Sequence, residues 1–167
     1  MVNSKLKPLE GIVVPLVTPL SGDNRIDMDG LNNLIEHVIR GGVHGIFILG
    51  TTGEAQSLSM SQREEMIKET SRILGNRLPL LVGISDTSLT DSVALAQKAY
   101  NCGAYAVVAT PPYYFATAQS ELIDYFENLI SLLPLPLFLY NMPVHTKVSF
   151  DPKTIKRIAQ NEKVIGF

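Results

Sequence analysis

The sequence holds one cysteine, Cys102, and no tryptophan. A single thiol forbids an internal disulfide and any zinc site built on several cysteines, and it fits a reducing cytosol. Charged residues make up only 18% of the 167, below the roughly 25% of an ordinary domain, so much of the chain should be buried. The 14 basic and 16 acidic side chains leave a net charge of −2. That balance argues against a nucleic-acid footprint and against attraction to an anionic membrane surface. Long apolar runs are missing too. The most apolar stretch, residues 129–140, is interrupted by Pro134 and Pro136 and is shorter than the ~20 residues of a membrane-spanning helix. Residues 1–10 hold no continuous apolar segment, so no signal peptide is read there, and a soluble cytoplasmic protein is expected.

What the chain does have is alternation. Short apolar runs begin at residues 12, 45, 80, 105, 137 and 164. They lack a polar residue at every second position, the pattern of parallel strands buried on both faces. Helical patterns lie between them. Leu31, Leu34, Ile35, Val38 and Ile39 share one helix face, and Gly41 can end that helix in the left-handed conformation. Ser59 with Gln62 reads as a capping box, closed at Gly75. Ser88 with Asp91 opens the third helix, which ends at Gly103. Thr117 or Ser120 opens the fourth, and Asp151 caps the fifth with Pro152 in its first turn. The intervals match a βα unit of ~30 residues, so five such units and a sixth strand are expected, with no domain boundary. A doubly wound open sheet and a (β/α)8 barrel both fit this pattern. Length favours the former, since a barrel takes ~250 residues. The first turn, residues 18–23, lacks the former's Gly-rich phosphate fingerprint.

In either architecture, function gathers at the carboxyl ends of the strands. The turn Gly50-Thr51-Thr52-Gly53-Glu54 could cradle a carboxylate or phosphate in its N–H groups and hydroxyls. It could equally be a tight turn whose threonines cap backbone groups. It lacks the Gly-Lys-Ser/Thr of a nucleotide-binding loop. Tyr113, Tyr114 and Tyr140 follow strand ends and could pass a proton, or simply fill space. Of the histidines, His37 reads as a helix's solvent edge, His44 lies at the wrong end of the sheet, and His145 could face the site. They form no metal-ligand pattern. Glu54 reads as a brace for its own loop, accepting backbone N–H bonds, and Cys102 as a core residue.

Four motifs, in this order and at these separations, resemble the dihydrodipicolinate synthase / N-acetylneuraminate lyase family. They are residues 11–19 (GIVVPLVTP), 50–54 (GTTGE), 110–114 (TPPYY) and 140–143 (YNMP). The resemblance spans residues 11–167. It implies a (β/α)8 barrel in which residues 1–167 are the N-terminal part of one domain, and a class I aldolase mechanism. In that mechanism a lysine forms a Schiff base with pyruvate or another 2-oxo acid, and no metal or cofactor takes part. Carried over, Thr52 would hold the 2-oxo acid carboxylate beside Gly50, and Thr51 and Tyr140 would relay the proton. Tyr114 matches a tyrosine that reaches in from a neighbouring subunit, which implies a homotetramer, a dimer of dimers. At His145 the synthases carry an arginine that meets the carboxylate of the aldehyde. An imidazole makes no bidentate clamp, so a hydroxylated, sugar-derived acceptor is favoured. The resemblance thus leaves open a synthase, a 2-keto-3-deoxy sugar acid aldolase or dehydratase, and an N-acetylneuraminate lyase-like enzyme. A non-catalytic 2-oxo acid-binding paralogue is the alternative of another class. The Schiff-base lysine is expected directly after Phe167, in a polypeptide that continues to close the barrel.

Overall fold

The computed structural model describes residues 9–167. The signal-peptide reading falls mostly on residues 1–8, outside the described residues. Six strands alternate with helices: β1 (Val13–Pro15), α1 (Met28–Arg40), β2 (Gly45–Ile48), α2 (Met60–Leu74), β3 (Leu80–Gly83), α3 (Leu89–Asn101), β4 (Ala106–Ala109), α4 (Gln119–Leu132), β5 (Leu137–Leu139), α5 (Pro143–Thr146), α6 (Pro152–Ile158) and β6 (Val164–Gly166). A 3-10 turn, Ala55–Ser57, precedes α2.

Strand order separates the two candidate architectures. A doubly wound sheet reverses direction at a switch point. Here every strand pairs in parallel with its sequence neighbours, in the order β1-β2-β3-β4-β5-β6. That unidirectional winding is the path of a (β/α)8 barrel, of which the chain supplies about five βα units and the sixth strand. The pairings Ile48↔Val82, Val82↔Val107 and Val107↔Leu137 set one row of side chains on the outer, convex face. These residues are buried with Leu31, Ile35, Met66, Ile67, Leu95, Leu122 and Phe126 of the helices. Each such side chain contributes about 1.5–3 kcal/mol by leaving water. The alternate row, with Phe47, Leu81, Val108 and Phe138, faces the concave side, where residues of β1 through β5 line one cavity.

Burial on both faces holds for β3 and β4, whose residues are all buried. It fails for β1 and β6, the edges of the sheet, none of whose residues is fully buried and whose flanking Ile12 and Phe167 are each 63% exposed. Ser59 and Gln62 form the expected capping box, and Gly75 is left-handed at φ 57. Ser88 accepts from the Asp91 N–H as read. Three helix ends differ. Gly41 stays right-handed at φ −69, and the left-handed residue is Gly42, φ 76. Neither Thr117 nor Ser120 caps α4. Ala118 holds that position, and its N–H donates to the Glu121 carboxylate at 2.7 Å. Asp151 stands at the start of α6, but its side chain accepts no capping bond. Cys102 is half-buried at the end of α3, where its carbonyl accepts from the Ser71 hydroxyl. No helix of the described residues is long and apolar enough to cross a membrane.

Candidate active site

The turn after β2 is shaped by its non-glycine residues. Leu49 and Glu54 adopt the left-handed backbone, at φ 58 and φ 50. Such conformations cost ~1–3 kcal/mol and persist only where surroundings impose them. Gly50 and Gly53 serve close approach instead. A Cβ at Gly50 would stand 2.6 Å from the Phe47 ring, and one at Gly53 3.0 Å from the Leu16 carbonyl oxygen. At the end of β3, Gly83 packs against the Leu49 carbonyl, where a Cβ would collide. Thr18, just past β1, donates its hydroxyl to the Gly53 carbonyl at 2.7 Å. The Gly53 and Glu54 amides bond back to Gly50 and Thr51 carbonyls at 3.1 Å. Among the described residues the Thr51 and Thr52 amides donate to no protein acceptor, which leaves them for a ligand oxygen.

Tyr140 leaves β5 with its N–H bonded to the Ala109 carbonyl at 2.9 Å. Its ring and that of Phe47 meet in a T-shaped arrangement, centroids 6.3 Å apart at 82°. This seats the phenol oxygen 3.4 Å from Thr51 Oγ1, across 89 residues of sequence. Thr51, Thr52 and Tyr140 line one cavity of about 340 Å³, floored by Val13, Phe47, Leu81, Val108 and Phe138. Hydroxyls at the rim and an apolar floor below suit a small carboxylic acid with a reactive carbon held out of water.

A second cavity, about 360 Å³, opens on the other side of Thr51 and is lined also by Glu54, Gln56, Thr110, Tyr113 and His145. His145 is exposed and rides on α5, a single turn that the strand pattern did not announce. Pro143 at its first position and the bonds from Thr146 Oγ1 to the carbonyls of Met142 and Val148 explain the turn. Asn141 ties the loop back, its side-chain oxygen accepting from the Phe150 N–H at 3.3 Å. The Glu54 carboxylate braces nothing among the described residues and faces this cavity. Among the described residues no lysine or arginine lines either cavity.

Sequence reasoning missed Arg63. It is 8% exposed, donates to the Leu58 carbonyl at 3.2 Å and pairs with Asp86 at 2.6 Å. Its signal was its phase: 63, 66, 67, 70 and 74 share the buried face of α2. Burial opposes ionisation of Asp86, but the Ser88 N–H and the Arg63 guanidinium outweigh it and hold that carboxyl below its ordinary value. Tyr113, next to this pair, has its phenol pushed upward, first by burial and then by the Asp86 charge.

Tyr114 does not join Thr51, Thr52 and Tyr140. It follows the same end of the sheet, but its side chain is 70% exposed, lines neither cavity and stacks edge-on against Phe115, itself 77% exposed. Its φ of 86 lies where side chains are rarely found. His37 is exposed on α1, and His44, also exposed, accepts the Ile12 N–H at the opposite end of β2 from the cavities. Among the described residues no group of three His, Cys, Asp or Glu is placed to hold a metal.

The dihydrodipicolinate synthetase family profile matches residues 8–167. The chain belongs to that family. A dihydrodipicolinate synthase from Bacteroides thetaiotaomicron is 63% identical and superposes with a TM-score of 0.90, over 94% of this chain and 53% of that one. A probable 2-dehydro-3-deoxy-D-pentonate aldolase of Escherichia coli is 35% identical over 96% of this chain and 54% of its own length. The dihydrodipicolinate synthase of Acinetobacter baumannii, solved with pyruvate, is 34% identical with a TM-score of 0.90, over 95% of this chain and 54% of that one. The chain therefore spans about half the length of these family members.

Proposed function

We propose that the chain carries the 2-oxo acid-binding side of a Schiff-base-forming lyase. The observation that carries this is the Thr51–Tyr140 hydroxyl pair, 3.4 Å apart above a cavity that Thr52 shares. The Thr51 and Thr52 amides, with the Thr52 hydroxyl, would hold the carboxylate of pyruvate or a related acid. Its ketone carbon would then lie over the apolar floor. The amine is assigned to a lysine directly after Phe167. β6 pairs in parallel beside β5, so a residue following β6 would lie near Tyr140, which follows β5. Addition of the amine to the ketone gives a carbinolamine. Tyr140, hydrogen-bonded to Thr51, returns a proton to the departing hydroxyl, and water leaves with the iminium formed. Loss of a proton from the neighbouring carbon gives the enamine, which attacks an aldehyde; cleavage runs the same steps in reverse.

The second cavity would receive the aldehyde. With His145 and the Glu54 carboxylate on its wall and no lysine or arginine there among the described residues, it favours a hydroxylated, sugar-derived acceptor over one bearing a carboxylate. The aldolase name of the Escherichia coli relative supports that choice, and the synthase name of the Bacteroides relative supports the other. The exposed Tyr114 and Phe115 suit a relay tyrosine offered to a neighbouring subunit, in a cytoplasmic homotetramer. Borohydride trapping of the full-length protein with pyruvate, read by intact mass, tests the core of the reading. An adduct is expected; its absence would leave a binding paralogue without turnover.

A further inference from the structure

Six non-glycine residues among those described take a positive φ. Two are asparagines, which tolerate it, and two shape the turn after β2. The remaining pair, Tyr114 at φ 86 and Lys147 at φ 60, touch each other. Lys147 Nζ stands 3.4 Å from the Tyr114 carbonyl oxygen and 6.0 Å from the centroid of its ring. Glycine would occupy position 147 with less strain, so the exposed turn by itself gives no reason for a lysine. The reach of its side chain does. The same two loops are also joined at their far ends by Gln119. Its amide donates to the Ser149 carbonyl at 2.8 Å, and its oxygen accepts from the Asp151 N–H at 3.0 Å and the Thr154 hydroxyl at 2.7 Å. Residues 110–118 and 140–151 are thus fastened at two points, one fully hydrogen-bonded and one depending on a single ammonium.

We infer that Lys147 is a positioning residue for Tyr114: its ammonium, on the Tyr114 carbonyl and over the ring, holds residues 110–118 in the strained shape that turns the phenol outward. The inference rests on the reading of Tyr114 as a relay shared between subunits. It also links the loop that would choose the acceptor, through His145, to the loop that would complete proton transfer.

The test uses the full-length protein with Lys147→Gly and Lys147→Arg. In the glycine variant, amide exchange over residues 113–118 should quicken ~10-fold, the sum of a cation–π contact and a hydrogen bond. Turnover should fall ~5-fold with the KM for pyruvate within about twofold, because the brace acts on proton relay and not on carboxylate binding. The melting temperature should not fall, since glycine relaxes the turn. Arginine should restore both exchange and turnover. Unchanged exchange in the glycine variant overturns the brace, and faster exchange with full turnover overturns its role in positioning. If the wild type forms no pyruvate adduct, the Schiff-base reading fails by itself, and exchange still decides the brace.

Discussion

On the convex face of the sheet, Ile46, Ile48, Val82 and Leu137 are fully buried beneath the helices; at the carboxyl-end rim, Thr51, Thr52, Glu54 and His145 are all exposed. The first region is held by close packing of side chains that any βα protein of this class could carry. The second is held by hydrogen bonds, left-handed residues and one buried ion pair, each of which fixes a particular atom. The difference teaches where stability and chemistry are separately encoded. Substitutions in the packed layer should change unfolding and leave the hydroxyl pair in place, and substitutions at the rim should do the reverse.

The largest effect is expected in the packed layer. Phe126, with no exposed surface, stacks on Phe150 at 5.3 Å, and Phe126→Ala should lower stability by about 3–5 kcal/mol in chemical denaturation. A loss under about 1 kcal/mol would show that α4 is not seated as described. Arg63 lies at the seam between the regions. Arg63→Met would strand Asp86 and should lower stability by about 3 kcal/mol at pH 7. Asp86 is depressed in the fold, so the pair's contribution is complete above the ordinary carboxylate pKa of ~3.9 and fades as pH falls through the lower folded value. The difference between variant and wild type should therefore shrink in strongly acid solution, and equal differences at pH 7 and pH 2 would refute the assignment.

At the rim the order reverses. Tyr140→Phe removes one hydroxyl and almost no volume. It should cut turnover ~10²-fold with a melting temperature within error of wild type, and unchanged turnover would reduce Tyr140 to a packing residue. His145→Arg is expected to raise kcat/KM for carboxylate-bearing aldehydes ~10-fold and to leave the borohydride-trapped pyruvate adduct as it was. Loss of the adduct would move His145 into the imine site. The smallest effect returns to the core. Thr70 Oγ1 is buried with no hydrogen-bond partner among the described residues, so Thr70→Val should stabilise the fold by up to ~1 kcal/mol; destabilisation would count against an unpaired hydroxyl.

The repeat of βα units could be read from apolar runs and helix caps because both signals are local: Ser59 and Gln62 are three residues apart, and so are Ser88 and Asp91. Strand order is not local: the apolar runs alone left two architectures open, the four motifs implied the barrel, and the pairing of β1 through β6 bears that out. The hydroxyl pair was named from motifs, but its 3.4 Å contact depends on the ring of Phe47 orienting Tyr140. Arg63 escaped notice because a charged residue in phase with an apolar stripe looks like noise until Asp86 is found beside it. Ala118 at the start of α4 shows the same limit, since there the following Glu121 supplies the cap that Ala118 cannot.

Gly83 touches no ligand-facing atom, yet the carbonyl of Leu49 occupies the space a single methyl would need there. This makes the protein's capacity to diversify uneven. Gln56 and His145 stand on the open wall of a cavity, and each can be exchanged without disturbing a neighbour's backbone. Position 83 cannot. Alanine there would lever the turn after β2 outward and carry Thr51 and Thr52 away from Tyr140 together. New acceptor preferences can thus arise one residue at a time around the rim, while the grip on the shared acid would be lost in one step from a glycine that lines neither cavity.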